Sequence, residues 1–205
     1  MSINPPLMEG QTAAGATEVV PNPYPNEFFF LMRDNIDFQV TDGANKYAAK
    51  GRCYMTSHRF CFQEKGMCKP SGRPLVHSKT GQPWAALDIP LLLISSHKFS
   101  QPIFGANSLG GAAQAIPGGG FSGAHELRWK LTFKNGGVGT FLPIFFRLME
   151  YIRNHMSQQV GEAKEAADGG GEEVGLLNPM QARQIAEGYM DPNDPSHVYM
   201  ISGHK

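Results

Sequence analysis

The residues of this 205-residue chain best able to act as nucleophiles or metal ligands are three cysteines and seven histidines. Cys53, Cys61, Cys68 and His77 follow one another at spacings of eight, seven and nine. Zinc sites use closer ligand pairs, so no metal centre is expected. His58 stands near Cys61, and His125 beside Glu126, yet neither has the surroundings of an activated nucleophile. No catalytic residue, and hence no enzyme, is expected. The glycine-rich stretch "GANSLGGA" from Gly105 lacks the Lys and Ser or Thr that a phosphate-cradling loop places after its glycine, so no nucleotide cofactor is expected either. Three cysteines without a close pair suit a reducing compartment.

The basic residues offer more. Net charge is zero, but residues 46–134 hold twelve Lys and Arg against three acids, while 1–45 hold one Arg against six acids and 157–205 three bases against eight. A basic centre between acidic flanks can meet an anionic surface or be neutralised by its own ends. Lys50, Arg52, Lys65, Lys69, Arg73, Lys79, Arg128 and Lys130 are the candidates for contacting anionic lipid head groups. Arg59 is a further residue able to bind phosphate. Tyr24, Tyr189 and Tyr199, in the acidic flanks, are candidate partner-docking positions.

The elements that must position these residues are mostly strands. Residues 1–25 carry five prolines without periodicity and read as a flexible arm. In "EFFFLMRDNIDFQV", Ile36, Phe38 and Val40 alternate with polar residues as in a half-buried strand. "AKGRCYMTSHRFCFQEK" then reads as a hairpin. Residues 66–83, with three glycines and three prolines, read as a long loop, and "GANSLGGAAQAIPGGGFSGA" as a flexible stretch with unusual backbone angles at Gly105 and Asn107. Leu127, Trp129, Leu131 and Phe133 make the clearest strand face. After Pro143 the period changes, and Phe145, Met149, Ile152 and Met156 form the stripe of one amphipathic helix. Residues 159–205 read as an acidic linker and an Asn/Pro-containing tail, with a short helix over "NPMQARQIAEGYM" and turns over "DPNDPSHVYM". The 26–158 core is therefore expected to be mainly β, a small barrel or bent sheet capped by one C-terminal helix. With no basic-then-apolar leader, and with apolar runs too short to cross a bilayer, the chain is expected to be intracellular, in cytoplasm or nucleus, and neither secreted nor membrane-spanning.

"KGRCYMTSHRFCF" resembles the GRAM-domain signature through Gly51, Tyr54, Thr56, Arg59 and Phe62, and the place of Arg59 in a hairpin of that type implies a structural hydrogen-bonding role rather than phosphate binding. "QPIFGAN", "GGGFSGA", "KLTFKNGG" and the C-terminal "DPNDPSHVYM" resemble, in order, segments of the WW-domain-binding protein 2 and postacrosomal sheath WW-domain-binding protein family. That resemblance implies a pleckstrin-homology-like barrel over 26–158 and a non-enzymatic adaptor that recruits proteins, with transcription coactivation among its roles. The family docks on WW domains through Pro-Pro-x-Tyr, and this chain has none: Pro5-Pro6 lacks the tyrosine, and "PNPY" has Asn22 in place of the second proline. The expected partners are proteins, with phosphoinositide binding through the basic loops as the alternative; no small-molecule substrate and no direct nucleic-acid contact is expected.

Overall fold

The structure, a computed structural model, describes residues 1–11, 15–121, 126–162, 188–191 and 194–200. Its strands are β1 (Ser2–Ile3), β2 (Leu7–Gln11), β3 (Thr17–Pro21), β4 (Phe29–Asp42), β5 (Asn45–Thr56), β6 (Arg59–Glu64), β7 (Leu75–Val76), β8 (Pro83–Trp84), β9 (Ala86–Pro90), β10 (Ile94–Ser100), β11 (Ser108–Gln114) and β12 (Glu126–Phe133). The helix α1 (Val138–Glu162) follows, and β13 (Gly188–Asp191) and β14 (Asp194–Met200) form a C-terminal hairpin.

Eight strands make one antiparallel sheet in the order β1-β9-β6-β5-β4-β12-β11-β10. β4 and β5 are long enough to serve both halves of it. A register shift between Arg33 and Ile36, with Asn35 at φ 54°, bends β4 at the junction. The sheet curls until its first strand meets the chain leaving β11. The Met1 ammonium donates to the Gln114 carbonyl at 2.7 Å, the Ile116 amide to Met1 O at 3.0 Å, and the Ile3 amide to Gly119 O at 2.7 Å.

Alternation decides which side chains fill the interior. Ile36, Phe38 and Val40 of β4 are buried with Leu127, Trp129, Leu131 and Phe133 of β12. The helix closes this cavity with Phe141, Ile144, Phe145, Leu148, Met149 and Ile152, the three- and four-residue spacing of one helical face. Phe60 joins the layers, its ring 5.5 Å from Phe141, 5.3 Å from Phe145 and 5.8 Å from Trp129. Mainly β with one closing C-terminal helix is thus both the expected and the observed class.

Several local expectations differ from what is found. Residues 1–25, read as a flexible arm, carry β1 and the β2–β3 hairpin. That hairpin lies across β5 and β6, where Gln63 donates to Val19 O at 2.9 Å and Arg52 pairs with Glu18 at 2.6 Å, over a small buried cluster of Phe29, Tyr54 and Cys61. These partners are far away in sequence, so local composition does not announce them. The glycine-rich stretch after Gly105 is in part β11, whose glycines serve strand contact: a Cβ on Gly111 would stand 2.0 Å from Ser96 O. Gly105 has φ 113°, but Asn107 is not among the positive-φ residues.

The helix starts at Val138, five residues before Pro143, because Gly136 and Gly137, both at positive φ, turn the chain directly into it. The 66–83 loop is pinned by buried His77, which stacks on Tyr47 at 4.4 Å and hydrogen-bonds Lys46 O at 3.1 Å. At the C-terminus, "DPNDPSHVYM", read as turns, contributes to β13 and to β14; most of the expected "NPMQARQIAEGYM" helix lies outside the described residues, and Gly188–Met190 within it are strand.

Candidate functional site

The GRAM-like signature residues turn inward. Arg59, 1% exposed, donates through Nε to Glu27 Oε1 at 2.8 Å and through Nη2 to Asn22 O at 2.7 Å. Its Nη1 lies 3.4 Å from Asp88, and its guanidinium stacks 3.8 Å over the Tyr24 ring. Burial opposes the charge, but the hydrogen bonds and charge of Glu27 outweigh it and raise the arginine's pKa. Thr56 Oγ1 donates to Glu27 at 2.6 Å and accepts from the Arg59 amide at 2.9 Å, fixing the Ser57–His58 turn. Gly51 admits the β6 backbone, since a Cβ there would stand 1.9 Å from Gln63 O. Phe62 stacks on Phe38 at 4.7 Å. This constellation holds the N-terminal segment to the sheet, and Tyr24, a candidate docking tyrosine, is one of its walls.

The thiols are equally internal. Burial raises Cys53 and Cys61 well above the ordinary thiol range and pushes Cys68 up to about 11. Among the described residues no group of three or more His, Cys, Asp or Glu is arranged to hold a metal ion. Burial lowers His58, whose Nδ1 is 2.7 Å from Ser57 Oγ.

The basic candidates fall into two neighbourhoods and two outliers. Lys50, Arg52, Lys65 and Lys69 line one groove of about 560 Å³ with Glu18, Asp34 and Ser71. Arg52 is committed there, to Glu18 at 2.6 Å and Asp34 at 2.7 Å, while the three lysines are exposed. The second neighbourhood is the outer face of the sheet, and the register defines it. Lys98, Gly110, Lys130, Gln39 and Ala48 are direct cross-strand neighbours along one row, and Ser96, Ala112, Arg128, Thr41 and Lys46 along the next. Lys46, Lys98, Arg128 and Lys130 are all exposed on it. Lys50, opposite Asp37 in the row that flanks the Lys130 row on its other side, links this face to the groove. Arg73 and Lys79 belong to neither; Lys79 donates to Ala44 O at 2.8 Å. Tyr189 and Tyr199 are paired residues of the β13–β14 hairpin.

Two features escaped reading from sequence. Lys46 and Lys98 join the basic face only through strand register, although the even spacing of Lys46 from Lys50 carried part of the signal. Ile103 and Phe104, in the β10–β11 loop, are 94% and 92% exposed. An apolar pair held between Pro102 and Gly105 in a turn, with no core to fill, was the available clue.

The geometry defines a curled antiparallel sheet closed by one helix and presenting basic surfaces, the class of β module that the sequence resemblance implied. A solved structure with partial likeness is the Vps36 N-terminal PH domain, with TM-score 0.46, 14% identity, and 72% of this chain and 96% of that one covered. No family model matches the chain. Among curated proteins, WW domain-binding protein 2 of Rattus norvegicus is 30% identical over 120 residues, 56% of this chain and 40% of that protein. The postacrosomal sheath WW domain-binding protein of Homo sapiens is 24% identical over 152 residues, 72% and 42% of the two. The resemblance to these proteins seen in the motifs is thus found over whole segments, and the chain spans about two fifths of the length of these relatives. Among the described residues no helix is long and apolar enough to cross a membrane.

Proposed function

We propose that this chain is a non-enzymatic adaptor whose sheet-and-helix module and tails recruit protein partners, with a part in transcription coactivation. The observation that carries the reading is its similarity, over 120 residues, to proteins named for binding WW domains. Because the chain lacks Pro-Pro-x-Tyr, its partners engage the module's surface or the tyrosines at 189 and 199. Binding of the full chain to purified WW domains, and to proteins cross-linked to it in cells, tests the idea by calorimetry. Saturable binding weakened by Tyr189→Ala with Tyr199→Ala, or by substitutions on the basic face, is the expected result; no saturable protein partner overturns it.

A second reading is favoured by the groove, where Lys50, Lys65 and Lys69 converge beside Arg52 in a volume suited to a phosphorylated head group. In it the module binds phosphoinositides. Flotation with phosphoinositide vesicles should show binding that fades with salt and with Lys65→Glu plus Lys69→Glu. Undiminished binding by that variant removes the groove from consideration.

A further inference from the structure

The β10–β11 loop, Gln101–Asn107, rises beyond the last rung of its ladder, Ser100 opposite Ser108. Its base is fixed, since the Phe133 amide donates to Asn107 O at 2.9 Å. Between Pro102 and Gly105, at φ 113°, the chain reverses and holds Ile103 and Phe104 out together, 94% and 92% exposed. Among the described residues up to 154, no other large apolar side chain is as exposed; the next, Val76, stands at 66%. Adjacent Ile and Phe at the apex of a turn are convex, so they match a soft apolar medium better than they match a groove on this molecule.

What lies behind the tip selects the medium. Lys98 is two residues down the strand from Ser100, about 7 Å, and Lys130 stands across Gly110 in the same row, two strand spacings or about 10 Å away. Gly110 contributes no side chain, which leaves an open depression of about 410 Å³ lined by both lysines. No acid interrupts the row Lys98, Gly110, Lys130, Gln39, Ala48. An apolar apex entering the boundary between head groups and acyl chains by about 5–10 Å brings such lysines level with lipid phosphates. Their flexible stems let the ammonium groups stay at that level.

We propose that the Gln101–Asn107 loop is a membrane-inserting tip, with Ile103 and Phe104 entering an anionic bilayer and Lys98 and Lys130 contacting its head groups. The proposal goes beyond the adaptor reading and uses residues outside the phosphoinositide groove, so either can fail without the other.

The test is sedimentation of the full chain with phosphatidylcholine vesicles, with and without phosphatidylserine, alongside a Phe104→Trp variant as reporter. Expected are binding to the phosphatidylserine vesicles, a blue shift in the emission difference spectrum of the introduced indole, and its quenching by brominated acyl chains. Ile103→Asp with Phe104→Asp should lower partitioning about tenfold or more, with circular dichroism unchanged. Lys98→Glu with Lys130→Glu should weaken binding and its salt dependence, while Lys65→Glu with Lys69→Glu should leave it intact. Undiminished binding by the Ile103/Phe104 variant, no binding by the parent chain, or loss of binding through the groove variant alone overturns the proposal. So does an Ile103/Phe104 variant that keeps vesicle binding and loses a saturable protein partner, which assigns the tip to a protein pocket.

Discussion

Arg59 is a full positive charge inside the molecule, held by Glu27, Asp88 and a backbone carbonyl. Removing it leaves two buried carboxylates without their counter-charge. Arg59→Met is therefore expected to cost about 3–5 kcal/mol, read as a lower urea midpoint; a midpoint within error of the parent would show that the cluster is not what anchors residues 22–27. Histidines give a second expectation at this scale. Burial lowers His97, packed against Phe145 at 5.0 Å with Arg153 adding to the shift, and burial also lowers His58. Below the ordinary value of 6.5 the unfolded chain binds protons that the folded chain resists, so stability should rise with pH through that window and be lost as pH falls. Denaturation at about pH 5 and about pH 7.5 checks the sign, and His97→Phe should shrink the difference.

Among elements, the helix and β11 carry opposite tolerances. Phe145 fills the space between helix and sheet, and Phe145→Ala should cost about 3–5 kcal/mol in calorimetric unfolding. Gly111→Ala adds a single carbon where backbone already stands, 2.0 Å from Ser96 O. It should separate β10 from β11 and remove hydrogen-exchange protection from both. These elements also show how far sequence reading reaches. β12 and the lower half of β4 were legible because one face of each is wet, which writes the period of two into Leu127–Phe133 and Ile36–Val40. β11 was not, because "SLGGAA" owes its strand to neighbours that leave no room for side chains. The groove lysines were legible as charges near a hairpin, whereas the face shared by Lys46, Lys98 and Lys130 needed the register. The Ile103–Phe104 pair was visible as a motif, but its exposure was not, since that depends on there being nothing opposite.

At the scale of the whole molecule, the N-terminal residues are structural rather than appended. They supply a strand of the sheet, the hairpin over Phe29, Tyr54 and Cys61, and the polar groups around Arg59. Deleting residues 1–25 should uncover that apolar cluster and lower cooperativity, measured as a broadened thermal transition with increased binding of a hydrophobic dye. A sharp transition at the parent temperature would show that residues 26–158 suffice as a folding unit. Charge organisation belongs to this scale too. The basic centre becomes two surfaces, one a groove with acids at its wall and one a sheet face free of them along its lysine row.

The seam closed by β1 has a consequence for synthesis. Ser2 and Ile3 are partnered by Asp88 and Leu87, and the Met1 and Ile3 backbones by Gln114, Ile116 and Gly119. Translation therefore delivers β1 long before the partners that complete it, and the sheet cannot shut until β12, which joins β11 to β4, has cleared the ribosome. Until then the Phe28–Phe30 run is exposed to chaperones rather than enclosed, and stalled chains shorter than this should be protease-sensitive near their beginning, gaining resistance in a single step once the seam can form.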